Sequence, residues 1–136
     1  MEDKNRGTAW HDWIKVCFPV VFDHIIIVYL PNKDCVGKVF DVEPWETRML
    51  EIMGVLFRGA TSYPSRGSYR KIDTVGNIET DVIIEETRMI VSFVSEDDFN
   101  EQNIKTVTSI LKEFGIETNQ ESVAFVIDGE MYYIHL

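Results

Sequence analysis

Long uninterrupted apolar runs are missing from this sequence of 136 residues. The nearest approach, Val16 to Leu30, is broken by Pro19, Asp23 and His24 and is too short to span a bilayer. Cysteine is scarce. Cys17 and Cys35 are the whole supply, in no metal-ligand spacing, which excludes a disulfide framework and a thiolate zinc site. Basic charge is scarce as well: 13 Lys and Arg stand against 23 Asp and Glu, a net charge of −10. That balance excludes the basic footprint on which general nucleic-acid binding depends. The opening MEDKNRGTAWHDW is polar and acidic, unlike a secretory leader, and no lipidation motif appears. The expectation is a reduced, cytoplasmic protein with no membrane partner.

What is present is globular. A hydrophobic fraction of 45% is too high for a disordered chain, and the length fits one domain with its own core. Residues 1–19 read as an N-terminal segment with a short helix, capped by Thr8 and stopped by Pro19. Residues 20–136 read as a single α+β domain. VVFDHIIIVYL, 20–30, is rich in β-branched and aromatic residues and predicts a central strand apolar on both faces. Pro44 suits the first turn of a helix whose stripe is Trp45, Met49, Ile52 and Leu56, with Gly59 to end it. GSYRKI predicts a strand and DTVGN a hairpin turn. A long strand follows from about Ile78 to Val94, its charged middle EETR implying a bulge or a projection beyond the core, with Glu86 and Arg88 as a surface pair.

Ser95 and Asp98 fit a capping box for a second helix with the stripe Ile104, Val107, Leu111 and Phe114, ended by Gly115. Asp128-Gly129 between two apolar runs is a two-residue hairpin signal, in a register that sets Phe125 against Tyr132 and Val123 against Ile134. The order strand, helix, strand, strand, helix, strand is the ferredoxin-like split βαβ pattern, βαββαβ, with an extra C-terminal strand and a short N-terminal helix. Such a sheet carries helices on one face only. Its other face is expected to be covered by the Trp10/Trp13 segment or by a second subunit, which makes a homodimer the expected assembly.

One stretch breaks the acidic pattern. From Ile52 to Ile72 there is no Asp or Glu, while Arg58, Arg66, Arg70 and Lys71 fall inside it among Thr61, Ser62, Ser65 and Ser68. Read for function, 58–71 is a loop that binds a small anion: Arg66 and Arg70 as bidentate grips, Tyr63 and Tyr69 as ring-stacking walls, with Arg58 and Thr61 in support. Read for structure, it is a turn-rich connection that neutralises its acidic surroundings. The spacing is no P-loop. His24 is the one histidine placed to act as a general base, although a satisfied polar group at a sheet face is the commoner use. No catalytic set, metal site or cofactor motif emerges.

These motifs together are Trp45 early in a helix, GATSYPSRGSYR, Gly-x-Ile at 76–78, Glu85-x-Thr87-Arg88, and NQESV at 119–123. In that order they resemble a group of small bacterial domains of unknown function, which share Gly-x-Thr, Gly-x-Trp, a basic residue and a later Gln-Glu-Ser-Val. The likeness spans about residues 25–127. Tyr69 stands where those domains have Trp, and the segment from Gly76 to Glu85 is longer here. The resemblance implies the ferredoxin-like fold and places the loop in the shared framework; it carries no activity. The expected function is therefore a small binding or regulatory domain holding an anionic ligand. The alternatives are an acidic module that engages a basic protein partner and a small enzyme with His24 as base.

Overall fold

A computed structural model describes residues 9–72 and 78–136, and the side chains of these except at 69–72 and 78–81. The chain runs α1 (Ala9–Cys17), β1 (His24–Pro31), α2 (Glu43–Phe57), β2 (Thr61–Ile72), β3 (Ile78–Val94), α3 (Glu101–Glu117), β4 (Ser122–Ile127) and β5 (Glu130–His135). The strands form one five-stranded sheet in the order β2-β3-β1-β4-β5, antiparallel at every junction. The expected turn at 73–77 lies outside the described residues.

Strand alternation decides which face is buried. Ile26, Val28 and Leu30 of β1 share a face with Ile90 and Val94 of β3 and Val123 of β4. Against that face lie Met49, Met53 and Phe57 of α2 and Val107, Ile110, Leu111 and Phe114 of α3. The stripe of α2 thus centres on Met49, Met53 and Phe57, with Trp45, Ile52 and Leu56 at its partly buried margins. Phe57 and Phe114 are fully enclosed, and truncating either to Ala costs about 3–5 kcal/mol.

The other face carries Ile25, Ile27 and Tyr29 opposite Phe93, Val91 and Met89, and no helix lies on it among the described residues. Strand β1 is therefore buried on one face rather than two. Helix α1 contributes no buried residue, so within one chain the Trp10/Trp13 segment does not cover the sheet.

Several local expectations shift. Helix α2 is closed by Arg58 in the left-handed conformation (φ 73°), one residue before Gly59. Ser95 caps a turn, accepting from the Asp98 amide at 3.4 Å, and Asn100 is the residue that caps α3 through the Asn103 amide at 2.9 Å. Helix α3 runs past Gly115 to Glu117, because Gly115 lies under Val123 and Leu136, where the lack of a side chain permits close packing. EETR pairs with β2 without a bulge; the irregularity falls at Arg70/Ile72. Arg88 pairs with Glu46 at 3.2 Å, not with Glu86. The Asp128-Gly129 turn has positive φ at both positions, as a type I′ hairpin needs, and sets Phe125 against Tyr132 as the spacing implies.

Candidate functional site

The basic stretch does not form a loop. From Thr61 onward it is strand β2, paired along its length with β3. Alternation then divides the expected ligand residues between two faces. Thr61 and Tyr63 stand opposite Val91 and Met89 on the open face, whereas Arg66 stands opposite Glu86 on the helix side. Arg58 lies beyond the strand, in an ion pair with Asp98 at 3.0 Å. Tyr69 and Arg70 occupy register positions opposite Ile83 and Val82, and their side chains lie outside the described ones. Arg58, Thr61, Tyr63 and Arg66 do not converge on a common ligand.

His24 is also spoken for. Its Nδ1 lies 2.7 Å from Asp128 Oδ2 and its Nε2 lies 2.5 Å from Glu96 Oε2. The ring stacks on Phe99 with centroids 3.9 Å apart. The hydrogen bond to Glu96, then that to Asp128, raises its pKa from 6.5 to about 9. At neutral pH both ring nitrogens donate, and an imidazolium has no lone pair with which to take a proton. Asp23, His24 and Glu96 bring ligand-type atoms within 4.8 Å of one another, but those two hydrogen bonds occupy the nitrogens a metal would need. His24 ties the start of β1 to the β4–β5 turn and to the approach to α3.

The chemistry gathers at the other end of the sheet. A cavity of about 300 Å³ opens on the uncovered face, between the late part of β1, the middle of the β2–β3 ribbon and the β4–β5 hairpin. Tyr29, Met131 and Tyr133 supply apolar and aromatic surface, and Thr87, Gln120 and Ser122 supply hydrogen-bonding groups. Two carboxylates, Glu85 and Glu121, line it, with no Lys, Arg or His among the described residues of its walls. Glu85 is half-buried, and burial pushes its pKa above the usual carboxylate value, opposed by the charge of Lys33. Lys33 is held nearby through a 3.1 Å hydrogen bond to the Ile84 carbonyl. Across the ribbon from Glu85 stands Gly67, so the residue directly opposite sets no side chain over the carboxylate.

The walls are fixed by backbone. The Cys35 amide donates to Asn119 O at 2.9 Å, and Gln120 Nε2 donates to Lys33 O at 2.8 Å, joining the β1–α2 connection to the turn before β4. Cys35, Gln120, Glu121, Tyr29 and Tyr133 were not singled out by sequence reasoning. A signal did exist: Gly67, the Glu85-x-Thr87 pair and Gln120 to Val123 all belong to the motif order described above, and all line this one cavity.

No protein-family model matches the chain, and a search of curated proteins returns no match. Two solved structures share its fold. One is a phage SAM lyase in complex with S-methyl-5'-thioadenosine, with a TM-score of 0.60 at 16% identity, covering 83% of this chain and 89% of that one. The other is a phage SAM lyase in the apo state, with a TM-score of 0.56 at 14% identity, covering 85% and 90%. The expectation of a small regulatory domain with an anion site at 58–71 is corrected by these findings: the neighbours in fold are phage SAM lyases, and Arg58 and Arg66, the basic residues of the stretch with described side chains, do not come together. His24, engaged at both ring nitrogens, is not free to act as the base of the small-enzyme alternative.

Proposed function

We propose that this protein is a small lyase that cleaves SAM, with the cavity on the open sheet face as its active site. The observation that carries the reading is Glu85, a half-buried carboxylate in a cavity that has a second acid and, among the described residues, no basic side chain. SAM is a sulfonium cation with an adenosine arm. A carboxylate removed from bulk water attracts such a cation strongly, because the surrounding dielectric is low. Tyr29 and Tyr133 offer ring faces for the purine and for the positive charge. Thr87, Gln120 and Ser122 offer hydrogen bonds to ribose hydroxyls.

In a lyase step the carbon–sulfur bond breaks and its electron pair goes to sulfur. The sulfonium becomes the neutral thioether of S-methyl-5'-thioadenosine as the substrate's own carboxylate oxygen attacks the carbon that sulfur leaves, so a C–O bond forms while the C–S bond breaks and the four-carbon fragment departs as a cyclic ester without added water. No oxidant or co-reactant is consumed. Glu85 then holds a cationic substrate more tightly than the neutral product, which favours release. The fold proposal belongs here too. The order β2-β3-β1-β4, with α2 joining β1 to β2 and α3 joining β3 to β4, supports a ferredoxin-like split βαβ unit with β5 added at its edge.

The test is to incubate the purified chain with SAM and follow S-methyl-5'-thioadenosine by liquid chromatography. Formation of that product by the wild-type chain, and its loss in Glu85→Gln with the fold intact, is the expected result. No product at any SAM concentration overturns the reading.

A further inference from the structure

Among the described residues, two apolar surfaces are left without partners, and they are of different kinds. One is the N-terminal arm, residues 9–22. Trp10, Trp13, Val16, Phe18, Val20 and Val21 are each more than half exposed. Trp10 and Trp13 lie one turn apart on α1, and the Trp13 ring meets the Phe18 ring edge-on at 6.1 Å, so the arm carries an aromatic ridge. The other is the open sheet face around Ile25, Ile27, Val91 and Phe93, with Phe93 62% exposed and no charged side chain among the four.

The two surfaces meet at one corner. Phe22, at the root of the arm, lines a cavity of about 350 Å³ together with Val91, Phe93 and Thr61 of the open face. The arm thus leaves the domain beside a socket whose sheet wall is Val91 and Phe93, with Arg58 at its α2 side, yet its own helix buries nothing.

We propose that the arm of one copy of this chain covers the Val91–Phe93 end of the open face of a second copy, in a closed homo-oligomer in which every arm has a face. Charge supports a second copy as occupant. The chain is strongly acidic, so copies repel wherever their acidic surfaces meet. The uncharged patch on the sheet and an arm whose helix carries only His11, Asp12 and Lys15 are where they approach without that penalty. Area supports it as well. With large side chains burying about 150–250 Å² each, two exchanged arms bring roughly 1,000 Å² of apolar surface before the covered sheet is counted, which reaches the size of a specific interface. This inference is independent of the reaction proposed above.

The test is light scattering on the full chain at micromolar concentration, with three variants. The wild type is expected at twice its 15.8 kDa or a higher whole multiple. Trp10→Glu/Trp13→Glu, which disturbs no buried residue, and Phe93→Glu should each run as a folded monomer, with Phe93→Asn as the milder second variant. Val55→Glu, on an exposed site of α2 away from both surfaces, should leave the assembly unchanged. Mixing the arm variant with the face variant should restore a one-to-one complex, because one intact arm then finds one intact face. A monomeric wild type, an arm variant that still assembles, dissociation by Val55→Glu, or no recovery on mixing would each overturn the proposal.

Discussion

Gly67 and Glu85 stand directly across the β2–β3 ribbon, and the absence of a side chain at 67 leaves the carboxylate open to the cavity. A Cβ placed on Gly67 would meet only Thr87 Oγ1, at 3.7 Å, an ordinary contact. Gly67→Ala is therefore expected to fold and to keep activity. Gly67→Leu should reach over Glu85 and raise the KM for SAM by about tenfold or more, roughly 1.4 kcal/mol of binding, with the melting temperature little changed. Steady-state kinetics beside thermal melting separates the two effects. An unchanged KM would place the substrate elsewhere.

Glu85→Gln should lower kcat/KM by about a hundredfold or more, the scale on which a preorganised electrostatic contact acts. The free-enzyme pH profile of kcat/KM should rise through a pKa above the ordinary carboxylate range, since burial raises the Glu85 value and the carboxylate must be ionised to hold the cation. Stability moves the other way. A raised folded-state pKa contributes stability that is present below the unfolded value and is lost as pH rises through the folded one. Glu85→Gln should flatten that part of the pH–melting curve. Arg66→Gln, on the other face of the strand, should leave turnover unchanged; a large loss there would reinstate a role for the basic stretch.

His24 makes a second linkage. Its pKa is raised from 6.5 to about 9 by Glu96 and Asp128, so the stability it contributes is complete below about 6.5 and disappears as pH rises through about 9. Asp128 is held below its ordinary value by His24, and its share is lost as pH falls through that lowered value. The melting temperature should therefore decline between pH 6.5 and 9.5 in the wild type. His24→Gln should be less stable at pH 6.5 and should lose most of that slope.

Gly115 tests packing against helix propensity. Ala is about 1 kcal/mol better than Gly inside a helix. Here an added Cβ would lie 2.3 Å from Leu136 Cδ1 and 2.9 Å from Val123 Cγ1. Leu136 is terminal and can swing aside, but Val123 is buried. Overpacking should win, with Gly115→Ala destabilising by about 1–3 kcal/mol in chemical denaturation. Leu136→Ala in the same chain should recover part of the loss. A net gain in stability would mean that β4 yields freely.

What the sequence determined by itself is what depends on near neighbours along the chain. The stripe Val107, Leu111 and Phe114 repeats at helical period, and Pro44 has a fixed φ, so both helices of the core announce themselves. Asp128-Gly129 admits positive φ at two successive positions, which sets the register of β4 on β5 before any tertiary contact forms. GSYRKI at 67–72 reads as a strand, but residues 61–66 were not legible in this way. Their hydroxyls and proline mimic a loop, and only pairing with β3 makes them a strand, because backbone partners from Glu86 to Val91 satisfy their hydrogen bonds. That pairing then separates Tyr63 from Arg66 by strand alternation.

The site was assembled by tertiary structure. Tyr29, Gly67, Glu85, Gln120 and Tyr133 come from five separate segments, and although Gly67, Glu85 and Gln120 stand in the motif order, nothing in the sequence joins them to one another or to the two tyrosines. The burial that pushes the Glu85 carboxylate above its ordinary pKa arises only when the β2–β3 ribbon, β1 and the β4–β5 hairpin close around it. Local periodicity carries information about which side of an element faces the core. It carries none about which distant residue will stand opposite, and a cavity is made of nothing but such oppositions.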